Sequence, residues 1–189
     1  MRRSHPLSGE ERWSSGFDGQ AREQSAAAAS NSSGSMKNAP PGYECPFCRL
    51  AESLSKPARD PAIILVEPRI FALVPLHHYA GIRGNCLITP RDHYESVQDI
   101  PDDLGNEFFR ATRMLANAMQ DAFGCEGIST RQHNGPAGDQ DVWHFHLHVF
   151  PRFRDDGLYG GARAPYEPGE RLEVADRLRG ALGAHSRLT

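Results

Sequence analysis

The sequence predicts an α+β domain with a mainly antiparallel sheet of about five strands, one long helix and a C-terminal helix. Three observations carry that expectation. Short apolar runs are bounded by turn formers, one extended stretch keeps helical spacing, and only short hops separate them.

With 189 residues, 39% of them hydrophobic, the chain can bury one core. Residues 1–40 are poor material for it. They pass through Arg2-Arg3, a Ser- and Ala-rich tract at 25–35 and Pro40-Pro41, with Trp13 and Phe17 the only aromatics, and read as a disordered N-terminal extension. Met36 offers a second candidate start just before the ordered region. Residues 41–189, roughly 150 in all, are expected to form one domain.

Within that domain, Ile63-Ile64-Leu65-Val66, the turn Glu67-Pro68-Arg69 and the run Ile70 to Val74 read as two adjacent strands. A third, Cys86-Leu87-Ile88-Thr89, stops at Pro90. His77 and His78 are expected on a solvated loop between them. Past Pro101, the positions Leu104, Phe108, Ala111, Met114, Leu115, Ala118, Met119 and Ala122 mark the long helix, with Asp99 as its cap and Gly124 just beyond its end. Residues 125–132 and 142–150 are expected to be two more strands. The loop His133-Asn134-Gly135-Pro136-Ala137-Gly138-Asp139-Gln140, rich in turn formers, joins them. The last helix is expected to start near Pro168 and run to about Gly183.

A net charge of −3 and a pI near 6.3 supply no basic field for a nucleic-acid polymer, so any nucleotide partner should be small. No apolar run approaches the ~20 residues of a membrane span. With no apolar segment of the secretory type at its N-terminus, the chain is expected in the cytoplasm. Its four cysteines are too few for a disulfide scaffold. Cys86 and Cys125 read as core packing, whereas the close pair Cys45 and Cys48 reads as metal or redox chemistry.

The most informative stretch is Trp143-His144-Phe145-His146-Leu147-His148-Val149. On an extended strand alternate side chains share a face, so three imidazoles stand in a row, ~7 Å apart along the strand, opposite an apolar face turned to the core. That row must be solvated or occupied by a ligand. Mutual repulsion lowers the pKa of such neighbours and keeps some of them neutral near pH 7, the form needed by a nucleophile or a metal ligand. Two chemistries compete for the row: a metal nest, or a phosphate site in which a neutral imidazole attacks phosphorus. The preceding loop favours the second, because Gly135 and Gly138 permit close backbone approach and Gln140 offers an amide donor. A hydrolytic two-metal site would want carboxylates after the row, and Asp139 and Asp141 precede it instead.

These residues resemble the histidine-triad family, whose signature alternates three histidines with apolar residues. Asn134-Gly135-Pro136-Ala137-Gly138, Gln140, Val142 and Pro151-Arg152 resemble the flanks of its motif, and Leu87-Ile88-Thr89-Pro90-Arg91-Asp92-His93 resembles its strand ending in Pro-x-x-His. Cys45-Pro46-Phe47-Cys48 is similar to the start of many bacterial members. The resemblance covers residues 45–153. It implies a nucleotide-binding fold, a homodimer, and action on nucleoside phosphoramidates, dinucleoside polyphosphates or related nucleotidyl compounds. Carried over by position, His146 attacks the α-phosphorus and forms a nucleotidyl-histidine that water resolves. Its near nitrogen should then donate to a backbone carbonyl.

The same resemblance places His148 on the phosphate or leaving-group oxygen and Gln140 around it. His133, Asn134 and Gly135 belong to the substrate loop, and Phe47 and Leu73 wall the base pocket. Zinc-bearing relatives imply a structural Zn2+ held by Cys45, Cys48, His93 and His144, a closed four-ligand set. The nucleotidyltransferase branch carries Gln in place of the third histidine, so His148 points to the hydrolase side. One position departs: where many relatives carry an acidic ribose ligand, this chain reads Leu73-Val74-Pro75.

Two other functions remain open. A non-catalytic nucleotide sensor or adaptor would keep the fold and lose the chemistry. A thiol-disulfide oxidoreductase is suggested because Cys-Pro-Phe-Cys also resembles the glutaredoxin active site. That context needs a strand before the motif and a helix after it, and Asn38-Ala39-Pro40-Pro41-Gly42-Tyr43-Glu44 precedes it here.

Overall fold

The computed structural model describes residues 37–79, 81–167 and 169–185. Of the expected extension, residues 1–36, Met36 included, lie outside the described residues, as does Pro168. A short helix α1 (Pro46–Ser53) comes first, then strands β1 (Ile63–Val66), β2 (Ile70–Leu73), β3 (His77–Tyr79) and β4 (Cys86–Pro90). The long helix α2 (Asp102–Phe123) leads to β5 (Gly127–Gln132), β6 (Leu147–Arg152), β7 (Arg163–Pro165) and a final helix α3 (Glu170–His185). None of the described helices is long and apolar enough to cross a membrane.

Five strands form one sheet in the order β1-β2-β4-β6-β5, with every neighbouring pair antiparallel. Strand alternation sends successive side chains to opposite faces. On one face Ile70, Ala72, Cys86, Ile88 and Val149 meet Leu104, Phe108, Leu115 and Met119 of α2 and Val174, Leu178 and Leu182 of α3. On the other face Ile63, Phe71, Leu73 and Leu87 meet Phe47 of α1 and Leu54 just after it. Because both faces are covered, β2 and β4 read in sequence as unbroken apolar runs rather than alternating ones.

The apolar stripe of α2 follows the expected spacing, and Gly124 ends the helix in the left-handed conformation at φ 65°. Asp99 plays a different part from the expected one. It closes a short 3-10 turn, Val97–Asp99, accepting from the Ser96 backbone N–H at 3.1 Å, and Pro101 precedes α2 as its cap. Cys86 and Cys125 are buried in the core, as their surroundings in sequence suggest.

Two further differences bear on the site. β6 starts at Leu147, so residues 142–146 are not strand. The ladder with β4 ends at Ile88↔Leu147, where Thr89 Oγ1 takes up the Phe145 carbonyl at 3.0 Å and Phe145 N–H turns to Tyr94 at 2.6 Å. Proline at position 90 has no N–H to continue the pairing. In addition, His77 and His78 are not on a solvated loop: they belong to β3, which pairs with β7, and His78 is buried against Tyr166. Two three-residue strands leave too short a pattern for periodicity to reveal.

Candidate active site and metal centre

Register fixes the floor of the site. Ile63↔Leu73, Leu73↔Leu87, Leu87↔His148 and Arg131↔His148 are direct partners, so one lateral row crosses the sheet from apolar side chains through an imidazole to a guanidinium. Above this row lies a cavity of about 640 Å³ lined by Phe47, Leu50, Leu73, Leu87 and Val142 on its apolar part. His146, His148, Tyr79, Asp141 and Arg163 line it as well.

All three histidines of the row are buried, with 0%, 3% and 7% exposure for His144, His146 and His148. The face expected to be solvated or occupied by a ligand is partly covered by α1 and β3: Phe47 sits 5.6 Å from the His144 ring and 5.3 Å from that of His146, and Tyr79 meets His148 edge-on. The rings of His146 and His148 lie 5.2 Å apart. Burial, more than the mutual repulsion anticipated from sequence, lowers their pKa values. It pushes His144 down to about 4 and His148 to about 3, with neighbouring charges contributing less, and it also lowers His146. All three imidazoles are neutral near pH 7.

Neutral His146 has a defined tautomer. Its Nδ1–H donates to the His144 carbonyl at 2.8 Å, which leaves the lone pair on Nε2. His148 is stacked parallel on Phe150 at 5.6 Å, and its Nδ1 is buried without a hydrogen-bond partner.

His144 leaves the row for a second cluster. Nε2–H donates to the Pro90 carbonyl at 3.1 Å, which turns Nδ1 toward Cys45 Sγ at 3.2 Å and Cys48 Sγ at 3.6 Å. His93 Nδ1 lies 3.3 Å from Cys48 Sγ. The four donor atoms of Cys45, Cys48, His93 and His144 all fall within 4.8 Å of one another and could hold a metal ion. Tetrahedral zinc with two thiolates and two imidazoles has donor–donor edges of roughly 3.3–3.8 Å, so the set fits that ion. The Pro90 carbonyl holds the His144 ring in place, the kind of outer-shell bond that would orient it toward a metal ion.

Cys45 caps α1 and so draws the helix onto the sheet. A helix does follow the Cys-x-x-Cys pair, as the redox reading needs, but no strand precedes it among the described residues. A reactive redox thiol has a depressed pKa, whereas burial and the neighbouring Cys45 push Cys48 up to about 12. The Cys48 thiol would ionise when a cation draws its proton off, which suits a metal site.

The loop before the triad is wired to itself. Gln140 Oε1 accepts from Gly135 N–H at 2.8 Å, while its Nε2 donates to the carbonyls of Glu95 at 2.6 Å and Val142 at 3.0 Å. Both amide hydrogens are therefore taken by backbone. Asn134 Oδ1 accepts from Val97 N–H at 2.7 Å, and His133 Nδ1 meets the Gly138 carbonyl at 2.6 Å with its ring 6.0 Å from His148. Gly135 sits at φ 70°, open to glycine but strained for other residues. Of the residues expected at the substrate, Phe47, Leu73, His146 and His148 line the cavity. His133, Asn134, Gly135 and Gln140 form the loop beside it.

Sequence reading missed Tyr79, Arg131 and Arg163, and gave Asp141 no role. Arg163 pairs with Asp141 at 2.6 Å and stands opposite Tyr79 in the β3–β7 register. Arg131 lies over the Tyr79 ring at 4.8 Å. No local motif marks these residues; register and the β3–β7 pairing bring them together.

Residues 58–155, more than half of the chain, match the HIT domain. The chain belongs to the HIT family. Among its HIT relatives, the protein named Hit of Bacillus subtilis is 28% identical over 115 residues, covering 60% of this chain and 75% of that protein. An adenosine 5′-monophosphoramidase of Saccharomyces cerevisiae is 29% identical over 113 residues, 59% of this chain and 64% of its own. The fold is shared with a zinc-bound histidine triad protein from Mycobacterium smegmatis at a TM-score of 0.66 and 23% identity, covering 77% of this chain and 98% of that one. Cys45, Cys48, Arg163 and all of α3 lie outside the matched HIT segment, yet α3 contributes Val174, Leu178 and Leu182 to the same core.

Proposed function

We propose that this HIT protein is a nucleotide-binding hydrolase that cleaves a phosphoryl bond through a nucleotidyl-histidine on His146. One observation carries the reading: the Nδ1–H of a buried, neutral His146 is held by the His144 carbonyl, which leaves Nε2 unprotonated on a cavity of about 640 Å³. Family membership and the phosphoramidase relative support a nucleotide substrate.

In the first step His146 Nε2 attacks the α-phosphorus, an N–P bond forms, and the leaving group departs with its electron pair. Water then attacks phosphorus, the N–P bond breaks, and a nucleoside monophosphate is released. Phe47, Leu73 and Leu87 form the apolar wall for the base, and His148 contacts the phosphate. Gln140 acts through its three backbone partners as a positioning residue, holding the loop of His133, Asn134 and Gly135 beside the phosphate.

Cys45, Cys48, His93 and His144 would hold zinc in a closed, structural site. When bound, that ion supplies no water to the reaction; it fixes α1 to the segment that carries the nucleophile. The reading includes a homodimer, supported by the outer edge of β5, unpaired among the described residues, and by Phe109, 80% exposed on α2.

The test is turnover of a panel of adenosine nucleotidyl substrates by wild type and His146→Asn. Wild type hydrolyses at least one, and the variant loses roughly 10⁴-fold or more in kcat while still binding AMP. Binding of AMP by a wild type that turns over none of them would establish the sensor reading instead.

A further inference from the structure

The lining of the cavity is mixed in chemistry: Phe47, Leu50, Leu73, Leu87 and Val142 give it apolar surface suited to a base, and Arg49, Arg163 and Arg171 give it cations. Beyond His148 in the cross-sheet row, Arg131 lies over the Tyr79 ring at 4.8 Å, and Arg163 is the register partner of Tyr79 across β3 and β7. In-line displacement sends the leaving group away from His146 on the side opposite the attack. Arg163 lines the cavity beside the triad, since its pairing partner Tyr79 meets His148 edge-on.

The arginines near the cavity are not equivalent. Arg171 is committed: it binds Asp60 through two nitrogens at 2.8 and 3.3 Å and the Val74 carbonyl at 2.9 Å, with only 17% of its side chain exposed. Arg49 pairs with Glu44, which is not part of the lining, whereas Arg163 has a single carboxylate partner, Asp141, that lines the cavity with it, the two side chains being 46% and 52% exposed. Exposed pairs of this kind are weak, so an incoming anion can replace the carboxylate. Arg131 makes no ion pair with an acidic side chain among the described residues.

We infer that Arg163 is a specificity-determining residue that receives an anionic leaving group, with Asp141 holding its place until substrate arrives. The substrate class is then a nucleotidyl anhydride whose departing group is a sulfate or phosphate, in preference to a nucleotidyl amide. The inference rests on the hydrolase reading of the same cavity. When His146 forms its bond to phosphorus, the P–O bond breaks and the oxyanion leaves with the electron pair, its charge met by Arg163, and no proton is required. An amine leaving group does need a proton. His148, held near pKa 3 chiefly by burial, carries none to give near neutral pH.

The experiment compares kcat/KM of the full chain for adenosine 5′-phosphosulfate, diadenosine triphosphate and adenosine 5′-phosphoramidate, in wild type, Arg163→Ala and Asp141→Asn. Arg163→Ala should lower the ratio of the anionic substrates to the phosphoramidate by roughly 10- to 100-fold, the worth of one hydrogen bond to a charged group. Asp141→Asn, which removes the competing carboxylate, should raise it. These opposite signs separate a specificity role from general damage to the fold. The arm that responds more strongly shows whether the group is a compact sulfate or a nucleotide phosphate. If wild type turns over none of the three, the hydrolase reading fails and this inference with it. If it turns over the phosphoramidate but neither variant moves the ratio, the inference alone is overturned.

Discussion

His144 and His146 are two residues apart, equally buried, and differ in what their ring nitrogens face. In His144 both are engaged by the protein, one by the Pro90 carbonyl and the other by the Cys45 and Cys48 sulfurs. In His146 one nitrogen is held by a carbonyl and the other is left for the cavity. The carbonyl that holds His146 belongs to His144. A closed cluster thus sets the orientation of an open one, and Phe47 touches both rings at their boundary. The lesson is that alternation in a sequence groups side chains, while the partner on each second nitrogen assigns the chemistry.

This contrast can be broken from the closed side. Cys45→Ser should lose the metal and lower the melting temperature by ~10 °C or more, because the site joins α1 to the triad segment. Metal content by elemental analysis and thermal unfolding check this. Full metal content in the variant would show that the thiol is no ligand.

A smaller effect concerns the turn after β6, on the path of the chain to β7 and its Arg163. There Asp156 accepts from Arg152 at 2.6 and 2.8 Å and from the amides of Phe153 and Leu158 at 3.0 and 3.1 Å. The Arg152 guanidinium and these amides hold its carboxyl well below the usual carboxylate range. A folded pKa depressed in this way gives stability that is present above the unfolded value of ~3.9 and lost as pH falls toward the folded one. Asp156→Asn should therefore be less stable than wild type at pH 7, and its stability should change less between about pH 5 and pH 2. Denaturant unfolding across that range measures both. Parallel curves for the two proteins would contradict the assignment.

Much of the fold was legible because its signals are local. The stripe of Leu104, Phe108, Ala111 and Leu115 and the stop at Gly124 identify α2, and apolar runs between turn formers identify β1, β2 and β4. The alternation of His144, His146 and His148 singled out the right segment. It did not disclose that the strand begins only at Leu147, because that depends on a proline in another strand and on Thr89 reaching across to Phe145. The metal set was legible only through resemblance, since Cys45, Cys48, His93 and His144 are far apart in the chain. Tyr79, Arg131 and Arg163 left no trace in sequence. Their meeting is a product of strand register, and residues that converge only through pairing carry no pattern along the chain.

The central claim concerns one atom, Nε2 of His146. Its most direct test is rapid acid-free quenching of the protein with a slowly hydrolysed adenosine nucleotidyl substrate, followed by intact mass and peptide mapping. The account predicts a single added adenylyl group on His146, absent from His146→Asn. An adduct on His148 or His144, or turnover undiminished in His146→Asn, would contradict it.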